Sequence, residues 1–143
     1  MVSFFCAKMQ QVKLVNATKQ IIFFILFIFL TDINGAVSNY ESAPCWVATT
    51  RFGVFGFVAN TASNNLSSYY IDKDGALTLI KAVAAADGSK PIDVAVSPDN
   101  RYVYSIYSGS HILVSYKRGG AGEIVFSDKV TSLPPFAAGL AVY

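Results

Sequence analysis

Pro91-Ile92-Asp93-Val94-Ala95-Val96 stands 47 positions after Pro44-Cys45-Trp46-Val47-Ala48-Thr49. Ala138-Gly139-Leu140-Ala141-Val142-Tyr143 stands 47 positions further on. The register holds without a gap: Val47 corresponds to Val94, Ser63 to Ser110, Leu66 to Leu113, Ser68 to Ser115, Tyr69 to Tyr116, Gly75 to Gly122 and Val83 to Val130. A fixed period of this size predicts stacked units, because one unit alone cannot bury its apolar faces. Residues 44–90 and 91–137 are thus two copies of one unit, and 138–143 opens a third.

Working outward from that register, each copy reads as four short strands. In the second copy, Ile92–Val96 is apolar, and Ser97-Pro98-Asp99-Asn100 supplies turn chemistry. Arg101–Tyr107 is aromatic and β-branched, the composition of a pleated strand. Ser108-Gly109-Ser110 turns the chain into Ile112–Lys117, and Gly119-Gly120-Ala121-Gly122 turns it again into a fourth strand, Glu123–Phe126. The first copy follows the plan with Cys45–Thr49, Phe55–Asn60, Leu66–Ile71 and Leu77–Val83, and Asp72-Lys73-Asp74-Gly75 is its hairpin signal. Its first turn departs: Arg51-Phe52-Gly53-Val54 keeps turn character only at Gly53, so a less well fixed loop is expected there. Ala82–Ala86 is helix-friendly but short, and reads as strand end plus connecting loop.

Four antiparallel strands in just under fifty residues is the signature of a propeller blade. The expected fold class is therefore all-β: two four-stranded blades, 44–90 and 91–137, plus the first strand of a third at 138–143, in an incomplete ring. Uncovered blade edges in such a chain invite self-association.

Of the 143 residues, 53% are hydrophobic and 14% charged, and the excess is local. Residues 21–30, Ile-Ile-Phe-Phe-Ile-Leu-Phe-Ile-Phe-Leu, are unbroken apolar and form the expected N-terminal helix. The +2 charge is local too: Lys8, Lys13 and Lys19 precede that run, while eight basic and eight acidic residues cancel from Val37 onward. A neutral repeat region gives no electrostatic footprint for nucleic acid. Basic segment, apolar core and small polar residues make 1–36 a signal peptide, with cleavage after Gly35 or Ala36, or a short membrane anchor; a misassigned gene start is the third reading. Ten apolar residues span roughly 15 Å as a helix, about half the hydrocarbon core. The expected location is secreted or extracytoplasmic, with any membrane contact confined to this segment, and 37–43 reads as a linker. Asn65-Leu66-Ser67 is an N-glycosylation acceptor for a eukaryotic secretory route.

At this point the residues resemble a known family. Pro44–Ala48, Phe57-Val58-Ala59-Asn60-Thr61 and Leu66–Leu79 resemble a blade of the lactonase family of β-propellers, and Pro91–Tyr104 resembles the next blade. That family includes 6-phosphogluconolactonase-like and carboxymuconate-cyclase-like proteins with a Tyr-Val-Thr-Asn-type repeat. Leu133–Ala141 is similar to the tail with which many members end. The resemblance covers residues 43–143 and implies a seven-bladed ring of which this chain holds the last two blades. It also implies a ligand site at the central opening, built from Arg, His and acidic side chains of several blades. None of those residues matches a position here, so the catalytic residues stay unassigned and no cofactor is implied.

The candidate residues are few. Asp93 lies in the first strand of its unit, which lines the channel of a propeller, so it faces the ligand region or bonds a neighbouring blade's backbone. Trp46 is its equivalent in the first copy. These two are the ligand-region candidates. His111, the single histidine, sits in a turn and reads as solvated. Cys45 reads as a small buried hydrophobe. Asp72 and Asp74 do not open a calcium loop, since position twelve is Val83 rather than Glu. No metal cluster, phosphate loop or serine elbow is present in the sequence pattern. The resulting expectations are a lactonase-like propeller protein, truncated and without assured activity toward a lactone or sugar-derived ligand; a non-enzymatic extracellular binding propeller; or a non-functional fragment.

Overall fold

The computed structural model describes residues 33–143, so the apolar segment and its signal or anchor reading lie outside the described residues. Those residues form β1 (Pro44–Thr49), β2 (Phe55–Asn60), β3 (Asn65–Ile71), β4 (Leu77–Ala85), β5 (Pro91–Val96), β6 (Tyr102–Tyr107), β7 (Ile112–Arg118) and β8 (Ile124–Val130). They make two antiparallel four-stranded sheets, ordered β1-β2-β3-β4 and β5-β6-β7-β8, with no closed ring. The outer strands run further than their composition indicates. β4 continues through Ala84 and Ala85, and β8 through Val130.

The two sheets are one backbone written twice. Each inner strand carries a bulge at the same place, between Pro44 and Trp46 and between Pro91 and Asp93. Left-handed residues recur 47 apart: Gly53 (φ 66°) with Asn100 (φ 60°), Asn64 (φ 60°) with His111 (φ 52°), and Gly75 (φ 87°) with Gly122 (φ 84°). Glycine, asparagine and histidine are residue types that tolerate this region. The first turns of the two blades share one backbone closure. Thr50 and Ser97 N–H groups donate to Phe55 and Tyr102 carbonyls, and the Thr50 and Ser97 hydroxyls accept from Phe55 and Tyr102 N–H at 3.1 and 2.9 Å. The hydroxyl before the turn does the work that Pro98 and Asp99 promised. In blade two, Asp99 additionally ties Ser97 and Arg101. The Ser97 hydroxyl, then the Arg101 N–H, hold its carboxyl well below the usual carboxylate range.

The core lies between the sheets. Strand alternation puts Phe57, Ala59 and Leu66 on the front face of blade one. They meet Val94, Val103, Tyr107, Ile112, Val114, Tyr116 and Ile124 on the back face of blade two. Gly122 is part of that fit: a Cβ there would stand 2.6 Å from Phe55 and 2.7 Å from Ile80. Arg118 lies over the Phe55 ring at 5.3 Å and donates to the carbonyls of Asn100 and Gly119, both at 2.6 Å. Polar clips complete the joint: Arg51 N–H to Asn100 Oδ1 at 2.7 Å, Lys90 N–H to Asn64 Oδ1 at 2.8 Å, and Thr61 Oγ1 to the Pro91 carbonyl at 2.7 Å.

Residues 33–43 pack on the back of blade one. Asn34 Nδ2 donates to the Leu77 carbonyl at 2.8 Å, and the Tyr69 hydroxyl donates to the Val37 carbonyl at 3.4 Å. Near its end this segment repeats the connection between the blades. Ser42 N–H meets Ser63 Oγ as Ser89 N–H meets Ser110 Oγ, and Ala43 (φ 51°) matches Lys90 (φ 53°). Residues 138–143 take no regular strand hydrogen bonding.

Candidate functional site

β1 and β5 are the inner strands of adjacent blades and lie side by side. Trp46 faces Ala59 across β1–β2, and Asp93 faces Ile106 across β5–β6. The two candidates therefore occupy equivalent positions on neighbouring inner strands, but their environments differ. Trp46 is 50% exposed, whereas Asp93 is 3% exposed. Among the described residues, Asp93 is the one charged side chain in the buried set. A carboxylate that leaves water needs a donor, and Asp93 Oδ2 accepts from the Leu140 N–H at 2.6 Å.

The other candidates stay apart from this pair. His111 is exposed in the β6–β7 turn. It borders a shallow depression with Leu133, Pro134 and Phe136 that has no room for a water molecule. Cys45 is exposed rather than buried, because it sits at the β1 bulge and its side chain stays outside the sheet packing. Asp72 accepts from the N–H groups of Asp74 and Ala76, both at 2.8 Å, and so closes its own turn. Among the described residues no three His, Cys, Asp or Glu side chains gather as metal ligands.

Two buried polar groupings escape sequence reading. In blade one, Asn39 Nδ2 donates to Asn60 Oδ1 at 2.8 Å and to Ser67 Oγ at 3.0 Å. Asn60 Nδ2 reaches Asn65 Oδ1 at 2.7 Å and Ser67 Oγ at 2.8 Å, Ser67 donates to the Ala82 carbonyl at 2.5 Å, and Asn65 Nδ2 donates to Glu41 at 2.7 Å. Asn65, the acceptor of the glycosylation triplet, is thus 5% exposed with its amide nitrogen engaged, so the folded blade does not present it for modification. In blade two, the Tyr107 and Tyr116 hydroxyls meet at 2.7 Å, and both side chains are fully buried. Burial pushes the Tyr107 phenol up to about 12 and raises that of Tyr116 further. The only sequence signal for either grouping is polar or tyrosine residues at inward positions of the strand alternation.

No protein-family model matches this sequence, and no curated protein matches it. Solved structures do. A protein of unknown function from Desulfotomaculum acetoxidans is 22% identical, with a TM-score of 0.61, over 69% of this chain and 30% of its own. The periplasmic gluconolactonase of Pseudomonas aeruginosa is 23% identical, with a TM-score of 0.56, over 62% of this chain and 25% of its own. A Bacteroides fragilis protein proposed as a 6-phosphogluconolactonase is 14% identical, with a TM-score of 0.56, over 62% and 26%. The chain thus spans under a third of the structures it matches. Its two sheets have the fold of two adjacent β-propeller blades, as these structures do.

Proposed function

We propose that the chain is a lactonase-like β-propeller protein of the extracytoplasmic space, with a ligand region for a lactone or sugar-derived molecule along its inner strands. The observation that supports this reading is the likeness of both blades together to propellers that include a periplasmic gluconolactonase. Opening a lactone needs a group that polarises the carbonyl and a base that takes a proton from water. The described residues offer Asp93 as the buried carboxylate, and Leu140 already engages it. Turnover therefore calls for groups beyond the described residues. The local contribution is Trp46, whose exposed indole provides a flat apolar surface for a sugar-derived ring.

Trp46 is the single tryptophan of the chain, so its fluorescence reports on this region alone. Titration with gluconolactone is expected to shift or quench the emission, while lactone opening stays at the spontaneous rate. Emission unchanged to millimolar ligand rejects the ligand region. Turnover abolished by Asp93→Ala makes the chain an enzyme in its own right.

A second reading, a non-enzymatic binding propeller, is favoured by the stacked Tyr102 and Tyr104 rings, 6.4 Å apart on the front face of blade two. Val125, Phe126 and Val130 along β8 are 48–63% exposed and offer an edge for self-association. Sedimentation velocity distinguishes this reading by concentration-dependent assembly that Val125→Lys suppresses.

A further inference from the structure

We propose that Asp93 is a register lock for the chain segment that follows blade two: its carboxylate selects the amide of Leu140 and so fixes that segment one repeat along, against β5. Leu140 lies 47 residues beyond Asp93, one full repeat, so the partner is the equivalent position of the next unit. Asp93 shares its face of the sheet with Ile106, the face turned away from blade one. That places it where an inner strand of a following unit would dock.

The contrast with the first joint shows why a lock is needed there. Between blade one and β5, Thr61 Oγ1 grips the Pro91 carbonyl and Asn64 Oδ1 takes the Lys90 N–H. One repeat on, the corresponding residues are Ser108 and His111, and neither side chain does this. Ser108 Oγ turns back to the Lys90 carbonyl, and the Ala137 N–H goes to the Pro134 carbonyl. Residues 138–143 also lack a β-ladder. A charge-assisted bond at 2.6 Å in a site 3% exposed takes over the task. At the same position blade one carries Trp46, which cannot accept an amide hydrogen bond. Asp93 acts through the backbone of Leu140 and is a positioning residue. The assignment is independent of any lactone chemistry.

Hydrogen exchange of the intact chain tests it. In Asp93→Leu the Leu140 amide is expected to exchange about tenfold faster or more, while Val94 and Ile106 keep their protection. Asp93→Asn, which retains an acceptor oxygen, should restore most of the protection. Leu140→Pro removes the donor without touching Asp93. It should move the Val142 and Tyr143 backbone resonances toward random-coil values with the sheet signal intact, and it decides the matter if Asp93→Leu fails to fold. Unchanged Leu140 exchange in a folded Asp93→Leu protein, or a Leu140→Pro chain whose Val142 and Tyr143 resonances stay at their wild-type positions, overturns the proposal.

Discussion

The back faces of the two blades share a backbone and differ in substance. In blade two the positions Tyr107, Ile112, Val114 and Tyr116 form an apolar wall with one hydroxyl pair inside it. In blade one the corresponding Asn60, Asn65 and Ser67 make a hydrogen-bonded lattice closed by Asn39 and Glu41 from the preceding segment, and Tyr69 donates to the Val37 carbonyl of that segment. Burial in an apolar wall tolerates imperfect partners, because dispersion and water exclusion have no direction. A polar lattice does not, because each buried group that loses its partner carries its full desolvation cost. The blade facing another sheet is thus built for packing, and the blade facing an irregular segment is built for bonding.

The largest effect is expected at the shared joint. Phe57→Ala, at a fully buried site, should cost about 3–5 kcal/mol in urea unfolding through lost transfer energy and a cavity. An unchanged midpoint would mean that the two blades do not unfold together. Next, Asn60→Leu in the lattice should cost about 2–3 kcal/mol, since it strands a donor on Asn39 and an acceptor on Asn65. A cost below that of Tyr107→Phe would erase the distinction drawn between the two faces. Gly122→Ala combines φ 84° with a Cβ 2.6 Å from Phe55, and about 1–3 kcal/mol is expected.

The blades should also differ in alkali. The Tyr107 phenol titrates near 12 when folded and near 10 when unfolded, because burial disfavours the phenolate. Between those values the unfolded chain binds fewer protons, so stability is level below about pH 10 and falls as the pH rises toward 12. The double variant Tyr107→Phe with Tyr116→Phe should reduce that slope to the part that the buried Tyr69 phenol of blade one contributes, whereas Asn60→Leu should leave it in place. The smallest effect is at the first turn. Gly53→Asn copies Asn100 at the same left-handed position and should change stability by no more than about 0.5 kcal/mol.

The strands and turns are legible because their causes are local. Alternation along β2, β3, β6 and β7, and the Gly, Asn or His at the left-handed position of each hairpin turn, act within a few residues of where they are read. The Thr50 hydroxyl escapes notice for a related reason: threonine is common, and only the closed turn shows it accepting from Phe55. Cys45 fails more simply, since apolar character does not say which side of a bulged inner strand will be covered.

The sequence alone determined the period, the all-β class and the four-strand plan of each blade, because hydrophobic alternation and turn chemistry are properties of neighbouring residues. Tertiary structure decided which polar groups are buried and whom they bond. Asn39 finds Asn60 across 21 residues, Asn65 finds Glu41 across 24, and Asp93 finds Leu140 across 47. A hydrogen bond needs two groups within about 3 Å, and only the folded chain sets that distance.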